Sequence, residues 1–379
     1  MLVEGSALVS HKGATMSILP LATRCIPMKW HVPLELSACS SRGSDKGLWI
    51  DPVTLLKLLN GWELAQWAIQ TSQRLQVWAL PQPLGPGAPE IYRDESVLLT
   101  SLVAASWRLS YEQVVEWLAR YQALAEQLGY RTFAPSGQRR TISLAQYSRR
   151  LRALGLLPYF LIFVALVGVL LKLGLIRGWD LIIDSSLLAA WYHHDPAAAW
   201  SWPAKWKGRV FGYKVHTILC RWSYLPLFFV VTPANANDGP LAIPMFLAVV
   251  LLYHLRILIV RADAAYFNYQ FLRFIHQDLD ASANVDYNPR RAGKRFLADL
   301  FFIRQWQDLM SPRTNIERHF AWMKRYFGLK YCRVQGYLAV TQFVLRVYLA
   351  ALIVAFIAVR YQRPDLATSR LKVLAFANT

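Results

Sequence analysis

The chain is short of negative charge. Of its 379 residues, 23 are Asp or Glu against 42 Lys or Arg, a net charge of +19 with a pI near 10. That imbalance points to a polyanionic partner, either nucleic acid or an acidic membrane surface. Cysteine is scarce as well. Cys25, Cys39, Cys220 and Cys332 form no CxxC pair, which leaves both a disulfide framework and a zinc ribbon without support and fits a reduced cytosolic setting. Charged residues make up 17% and apolar residues 55%, so a disordered chain is excluded and a sizeable core is available. The N-terminus, with Glu4, His11 and Lys12 among its first residues, lacks the basic and compact apolar regions of a signal peptide. At about 150 residues per domain, the length suggests two or three folding units.

Long uncharged runs are few. Residues 153–171 carry no formal charge and are flanked by Arg149, Arg150 and Arg152 on one side and Lys172 and Arg177 on the other. The run passes the usual test of about 18 apolar residues for a membrane span, although Pro158 and Gly168 suit a break into two pieces. A second run, Val347 to Val359, is too short by the same test. A basic membrane-anchored protein and a soluble protein with a buried helix are both compatible with this pattern.

Residues 1–48 show no sustained period and read as a leader, possible chain starts at Met16 and Met28 included. Residues 49–178 read as a helical region: a short helix within 49–80, a Pro/Gly linker at 81–89, then amphipathic stretches. Ser110 with Gln113 and Ser143 with Gln146 are capping boxes that each open a helix. The helices around Ser110 form a pair that suits either a DNA-binding helix-turn-helix or any helical hairpin. Arg149, Arg150 and Arg152 form a basic face for phosphates or for solvent.

After Trp179 the texture changes to apolar runs of strand length: Asp180–Leu188, Phe211–Leu219, Pro226–Ala234, Arg256–Ala262 and Ala283–Tyr287. Helical stretches at Pro240–His254 and Tyr269–Leu279 separate the later ones. A basic loop (Arg290, Arg291, Lys294, Arg295) precedes a strong helix starting near Pro312. The expected order is β-β-β-α-β-α-β-α, an α/β domain over residues 179–350 followed by a tail at 351–379.

Residues 200–379 hold 24 Lys or Arg but only 9 Asp or Glu; against that background three acids, one just ahead of this stretch and two within it, are conspicuous. Asp184 interrupts the apolar run Leu-Ile-Ile-Asp-Ser-Ser, a costly place for a charge that is neither paired nor bound to metal. Asp263 ends the fourth strand. Glu317 stands in a helical stretch with Arg313 about 40° and Lys324 about 20° away around the axis, at about 100° per residue, so the three share one stripe. Hard divalent cations take oxygen ligands, Mg²⁺ few carboxylates plus substrate phosphate, and two such ions about 4 Å apart activate an attacking oxygen and stabilise a leaving one. Each acid has a plainer reading: a turn cap for Asp184 beside Ser185, a loop cap for Asp263, a solvated helix face for Glu317. Asp238, a rival ligand, reads as a turn and helix start. Lys214 and His216 alternate on a strand, lining a groove or facing solvent. Trp191, Trp200, Trp202 and Trp206 suit stacking on an unpaired base or covering the sheet.

In this order the pieces Ile-Ile-Asp184-Ser-Ser, Gly212-Tyr-Lys-Val-His216, Thr232-Pro-Ala-Asn-Ala-Asn-Asp238, Ala-Asp263-Ala-Ala-Tyr266, Arg313-x3-Glu317-x6-Lys324, Phe327-Gly-Leu and Arg333-Val-Gln-Gly336 resemble the DDE transposases of bacterial insertion sequences, in the branch typified by insertion sequence 4. The resemblance implies an RNase H-like mixed sheet flanked by helices, preceded by a helical DNA-binding region. It makes Asp184, Asp263 and Glu317 the catalytic and metal-holding acids for Mg²⁺, with Mn²⁺ as a substitute. Arg313, Lys324, Lys214 and His216 become substrate-binding residues. It further implies cleavage at element ends, joining of 3′-OH ends to target DNA, a homodimer on double-stranded DNA, and a cytoplasmic, nucleoid-associated location. The family's Tyr three residues before the Arg is Met310 here. The 54 residues from Asp263 to Glu317 leave no room for the large β-rich insertion of some relatives. A nuclease with the same core but no joining step is the alternative.

Overall fold

The computed structural model describes residue 57 and residues 59–75, 92–130, 142–202, 208–286 and 310–374. The leader, the 81–89 linker, the basic loop at 290–295 and Trp206 lie outside the described residues.

The first helices are α1 (Gly61–Leu75), α2 (Asp94–Trp107), α3 (Tyr111–Arg120), α4 (Gln122–Gln127), α5 (Leu144–Ala153) and α6 (Leu157–Lys172). Both capping boxes form. The Ser110 hydroxyl accepts from the Gln113 amide while the Gln113 side chain accepts from the Ser110 amide, and Ser143 with Gln146 repeats the exchange. Each satisfies two amide donors that a helix start leaves open. Arg108, in the left-handed region at φ 60°, ends α2 and turns the chain into α3.

The next elements are β1 (Asp180–Ala189), β2 (Ala199–Trp200), β3 (Phe211–Cys220), β4 (Pro226–Pro233), α7 (Gly239–Tyr253), β5 (Ile259–Ala262), α8 (Tyr269–Arg273), β6 (Ser282–Val285), α9 (Asn315–Tyr326), α10 (Tyr337–Arg360) and α11 (Arg370–Leu374). They build a mixed sheet flanked by helices, in the order β2-β3-β1-β5-β6, with β4 also paired to β3. β3 runs antiparallel to β1 and β4, whereas β1, β5 and β6 are parallel. Strand β2 has no counterpart in the expected order, because two residues are too few to show a period.

The pleat sorts side chains by parity. Ile182, Asp184 and Ser186 of β1 share a face, and register places Leu219, Thr217 and Val215 of β3 opposite them. Ile316 and Phe320 of α9 close over Ile182 and Leu219 in one buried cluster. The tightest backbone approach is at Gly212, which pairs with Ala189. A Cβ there would fall on the Leu188 carbonyl and the Ala190 amide. Gly212→Ala is expected to cost about 1–3 kcal/mol, the range for forced overpacking, read as a lower urea midpoint with an unchanged slope.

Helix α10 joins the two halves of the chain. Its Tyr348 hydroxyl meets Thr217 of β3 at 2.7 Å, and its Gln342 donates to the Leu151 and Gly155 carbonyls, both at 2.8 Å. Those carbonyls lie where α5 and α6 meet at a 70° bend. The uncharged 153–171 run is therefore bent ahead of Pro158, which occupies the first turn of α6 and needs no amide partner there. Gly168 sits inside an unbroken helix. Among the described residues α10 is the one helix long and apolar enough by itself to cross a membrane, and 89% of its apolar window is buried inside the protein. It also runs through residue 351, the expected start of the tail. The Val347–Val359 run is the second half of a 24-residue helix that starts at Tyr337.

Candidate active site

Strands β1 and β5 are parallel, with Ile183 beside Ala262, so the residues that follow, Asp184 and Asp263, emerge side by side. The next parallel neighbour, β6, pairs Val285 with Ala262, and Asp286 follows it. Three neighbouring strands thus each carry an aspartate at or near the same edge. Crevices at the carboxyl ends of parallel strands are where open α/β sheets bind ligands.

Asp184 accepts the Ser185 amide at 2.7 Å, and Asp263 accepts the Ala265 amide at 2.9 Å, where it caps a single turn at Ala264–Tyr266. Burial pushes the Asp184 carboxyl up to about 7, and the Asp263 charge adds to the shift. The Ser185 amide and Arg313 oppose it. Asp263 is raised too, by burial and by Asp238 and Asp286, against the Ala265 amide and Arg313. Two carboxyl groups that repel each other at a partly dry strand end are poised for a cation.

Asp238 precedes α7 but does not cap it. Its Oδ1 lies 3.3 Å from Lys214 Nζ and 3.2 Å from His216 Nδ1. Burial works against its charge, yet His216, Lys214 and Ser185 together hold it below the usual carboxylate range. Lys214 also donates to the Ala236 carbonyl at 2.8 Å, and His216 Nε2 meets Thr232 Oγ1 at 2.9 Å. Lys214 and His216 therefore face the 232–238 turn and the anion that it carries.

Arg313 bears on both Asp184 and Asp263 and lies 4.0 Å from Glu317 Oε1. Lys324 Nζ donates to Ser186 Oγ at 2.7 Å, on the face of β1 that Asp184 shares. Of the expected stripe, Glu317 and Lys324 lie on α9, with Lys324 anchored to β1, whereas Arg313 sits in the 3-10 turn Ser311–Thr314 just ahead of the helix. The Glu317 side chain is 65% exposed beside Arg313. Among the described residues, no three His, Cys, Asp or Glu side chains gather closely enough to hold an ion. Asp184 and Asp263 come together; Glu317 does not join them in this conformation. Two carboxyl groups that burial and mutual repulsion disfavour as anions still suit a hard dication, which supplies the counter-charge that they lack.

Residues 177–353 match the family model for a Transposase DDE domain. The match supports a DDE transposase. It starts just ahead of β1 and ends within α10. No curated protein and no solved structure matches the chain.

Within the matched span, several acids escaped the reading of the sequence. Asp286 had one available signal, its place at the end of an apolar strand. Asp180 is fully buried at the start of β1, with Arg261 Nε at 2.8 Å and Arg221 Nη1 at 3.0 Å. Asp195 accepts the Tyr213 hydroxyl, the Ala197 amide at 3.1 Å and the Gly336 amide at 3.0 Å. It thereby fastens the Trp-rich loop to β3 and to the start of α10. Trp191, Trp200 and Trp202 on this loop are more than half exposed, so they leave much of their surface free for a partner.

Proposed function

We propose that the protein is a transposase that binds the ends of a DNA element, cleaves phosphodiesters there and joins the 3′-OH ends to target DNA. The observation that carries this reading is the side-by-side placement of Asp184 and Asp263 on parallel strands within the matched span, with Arg313 against both. The mixed sheet flanked by helices also fits a DDE transposase domain. In this reading Asp184 and Asp263 hold Mg²⁺, or Mn²⁺ in its place, as a pair of ions. Glu317, exposed beside Arg313, would be the third donor. When bound, such ions lower the pKa of an attacking oxygen and neutralise charge on the phosphate under attack.

The chain's own groups do the rest. Arg313, in the turn ahead of α9, and Lys324, on α9, orient phosphate oxygens, and Lys324 is already fixed on Ser186. Lys214 and His216 contribute by holding the 232–238 turn and its ionised Asp238 beside the aspartates. In the helical region, exposed Arg149 and Arg152 on α5 offer sequence-independent grip, while Arg150 is engaged with Asp94 at 2.9 Å. Binding through such contacts falls steeply with salt. Holding two ends together calls for a homodimer, and DNA as substrate places the protein in the cytoplasm at the nucleoid.

The test is Mg²⁺- or Mn²⁺-dependent cleavage of element ends by wild type and Glu317→Gln. Loss of about a hundredfold or more is expected, at or beyond the upper end of what removing a group behind a metal ligand costs. Equal activity would take Glu317 out of the site. Pre-cleaved ends offered with a target plasmid should give joined product. Cleavage without joining would instead identify a nuclease.

A further inference from the structure

A second site lies away from the strand ends. A cavity of about 560 Å³ opens between the α2–α3 turn and the chain from Phe327 into α10. That volume is in the range of small-ligand pockets. Three guanidinium groups line it, from Arg108, Arg333 and Arg346, against one carboxylate, Glu112.

Arg346 is the decisive member. It lies on α10, only 7% exposed, and among the described residues it donates from Nη2 to the Tyr111 hydroxyl at 3.0 Å, with the guanidinium 5.7 Å from that ring's centre. Its Nε is buried with no partner, and no carboxylate pairs with it among the described residues. A guanidinium cannot shed its proton to escape burial. A buried charge without a counter-charge is costly, so the fold carries here a cation that an anion would satisfy.

The other two arginines are exposed at the same cavity and braced rather than neutralised. Arg108 donates to the Arg325 carbonyl at 3.3 Å and lies 5.7 Å from the Tyr331 ring centre. Arg333 packs 5.0 Å over the exposed Trp191 ring. The first turn of α3 borders the cavity and adds its partial positive charge. Planar forks of this kind match phosphate oxygens two at a time.

We propose that this cavity binds a phosphate group, carried either by a DNA strand or by a free phosphate compound. The assignment rests on Arg346 and its neighbours and does not depend on chemistry at Asp184 and Asp263.

The test uses the full chain with inorganic pyrophosphate and, separately, with a short DNA duplex. Saturating pyrophosphate is expected to raise Tm by on the order of 5 °C, as tight binding to the folded state alone does. The exposed pair Arg108→Gln/Arg333→Gln should lose that response while melting like wild type without ligand. Arg346→Met removes the buried charge; it should melt higher than wild type in phosphate-free buffer and also lose the response. Duplex affinity measured against salt then separates the sources. A log–log slope shallower by about 2 in the double variant, one for each lost phosphate contact, assigns the site to a DNA strand. An unchanged slope with a lost pyrophosphate response assigns it to a free phosphate compound. No response in wild type, or a response retained in the double variant, overturns the site. Glu317→Gln should keep the response whatever its cleavage activity, so the two readings fail separately.

Discussion

Asp184→Asn is expected to abolish DNA cleavage and yet to make the metal-free protein harder to melt above neutral pH. The carboxyl is pushed up to about 7, first by burial and then by Asp263, while an Asp in an unfolded chain titrates near 3.9. A group whose folded pKa is raised contributes stability that is complete below the unfolded value and is lost as pH rises through the folded one. The wild-type protein should therefore weaken between about pH 4 and pH 7 as Asp184 is forced to ionise. Asn cannot ionise, so this loss disappears in the variant. With a chelator present at pH 8, its Tm should exceed that of wild type by a few degrees; near pH 4 the two curves should meet. Added Mg²⁺ should stabilise wild type and leave the variant unmoved. A variant that melts lower than wild type at pH 8 would show that the Asp184 carboxylate is already compensated, and the strand-end pair would lose its standing as a cation site.

Asp180→Ala is expected to have the largest effect on stability without any direct part in chemistry. Asp180 is fully buried, Arg261 is 3% exposed, and the two meet through Nε at 2.8 Å and Nη2 at 3.1 Å. Arg221 adds a third contact at 3.0 Å. Removing the acid takes the carboxylate from a buried guanidinium between β1 and β5, and breaking such a pair costs about 3–5 kcal/mol. Urea unfolding at neutral pH should show that loss. The double change Asp180→Leu/Arg261→Met should recover much of it, since a buried ion pair exchanged for well-packed apolar residues is often neutral. If the single variant unfolds within about 1 kcal/mol of wild type, water has replaced the lost partner and the strand pair does not depend on this contact. The pair also anchors the first turn of the register that ends at Asp184 and Asp263, so the single variant should lose cleavage through misplaced strand ends.

Elements whose signal is local were legible. The capping boxes at Ser110 and Ser143 formed as read, because a cap is settled within four residues. Five of the six strands and the helices at Gly239 and Asn315 follow from period and turn residues alone. Strand β2, at two residues, carried no period to read. The Asp184–Asp263 pair was legible because each acid interrupts or ends an apolar strand, and parallel neighbours bring such ends together. Glu317 was read from helical spacing, which fixes the stripe it shares with Arg313 and Lys324 but not where a long exposed side chain points.

Other features depend on register and packing between distant segments. Asp238 reads as a helix start, yet its side chain turns to Lys214 and His216, 24 and 22 residues earlier in the chain. Asp286 joins the acidic row only once β6 is laid parallel to β5. Arg346 looks like one cation in an apolar helix until α10 is packed against Tyr111.

The sequence by itself determined the order of helices and strands, the excess of positive charge and the few acids able to interrupt apolar segments, since periodicity, composition and capping act between near neighbours. Only the tertiary structure decided which charges are paired, which are stranded and which stand at a common edge. Those outcomes turn on desolvation and on distances between groups tens to hundreds of residues apart, and neither exists until the sheet has closed under α9 and α10.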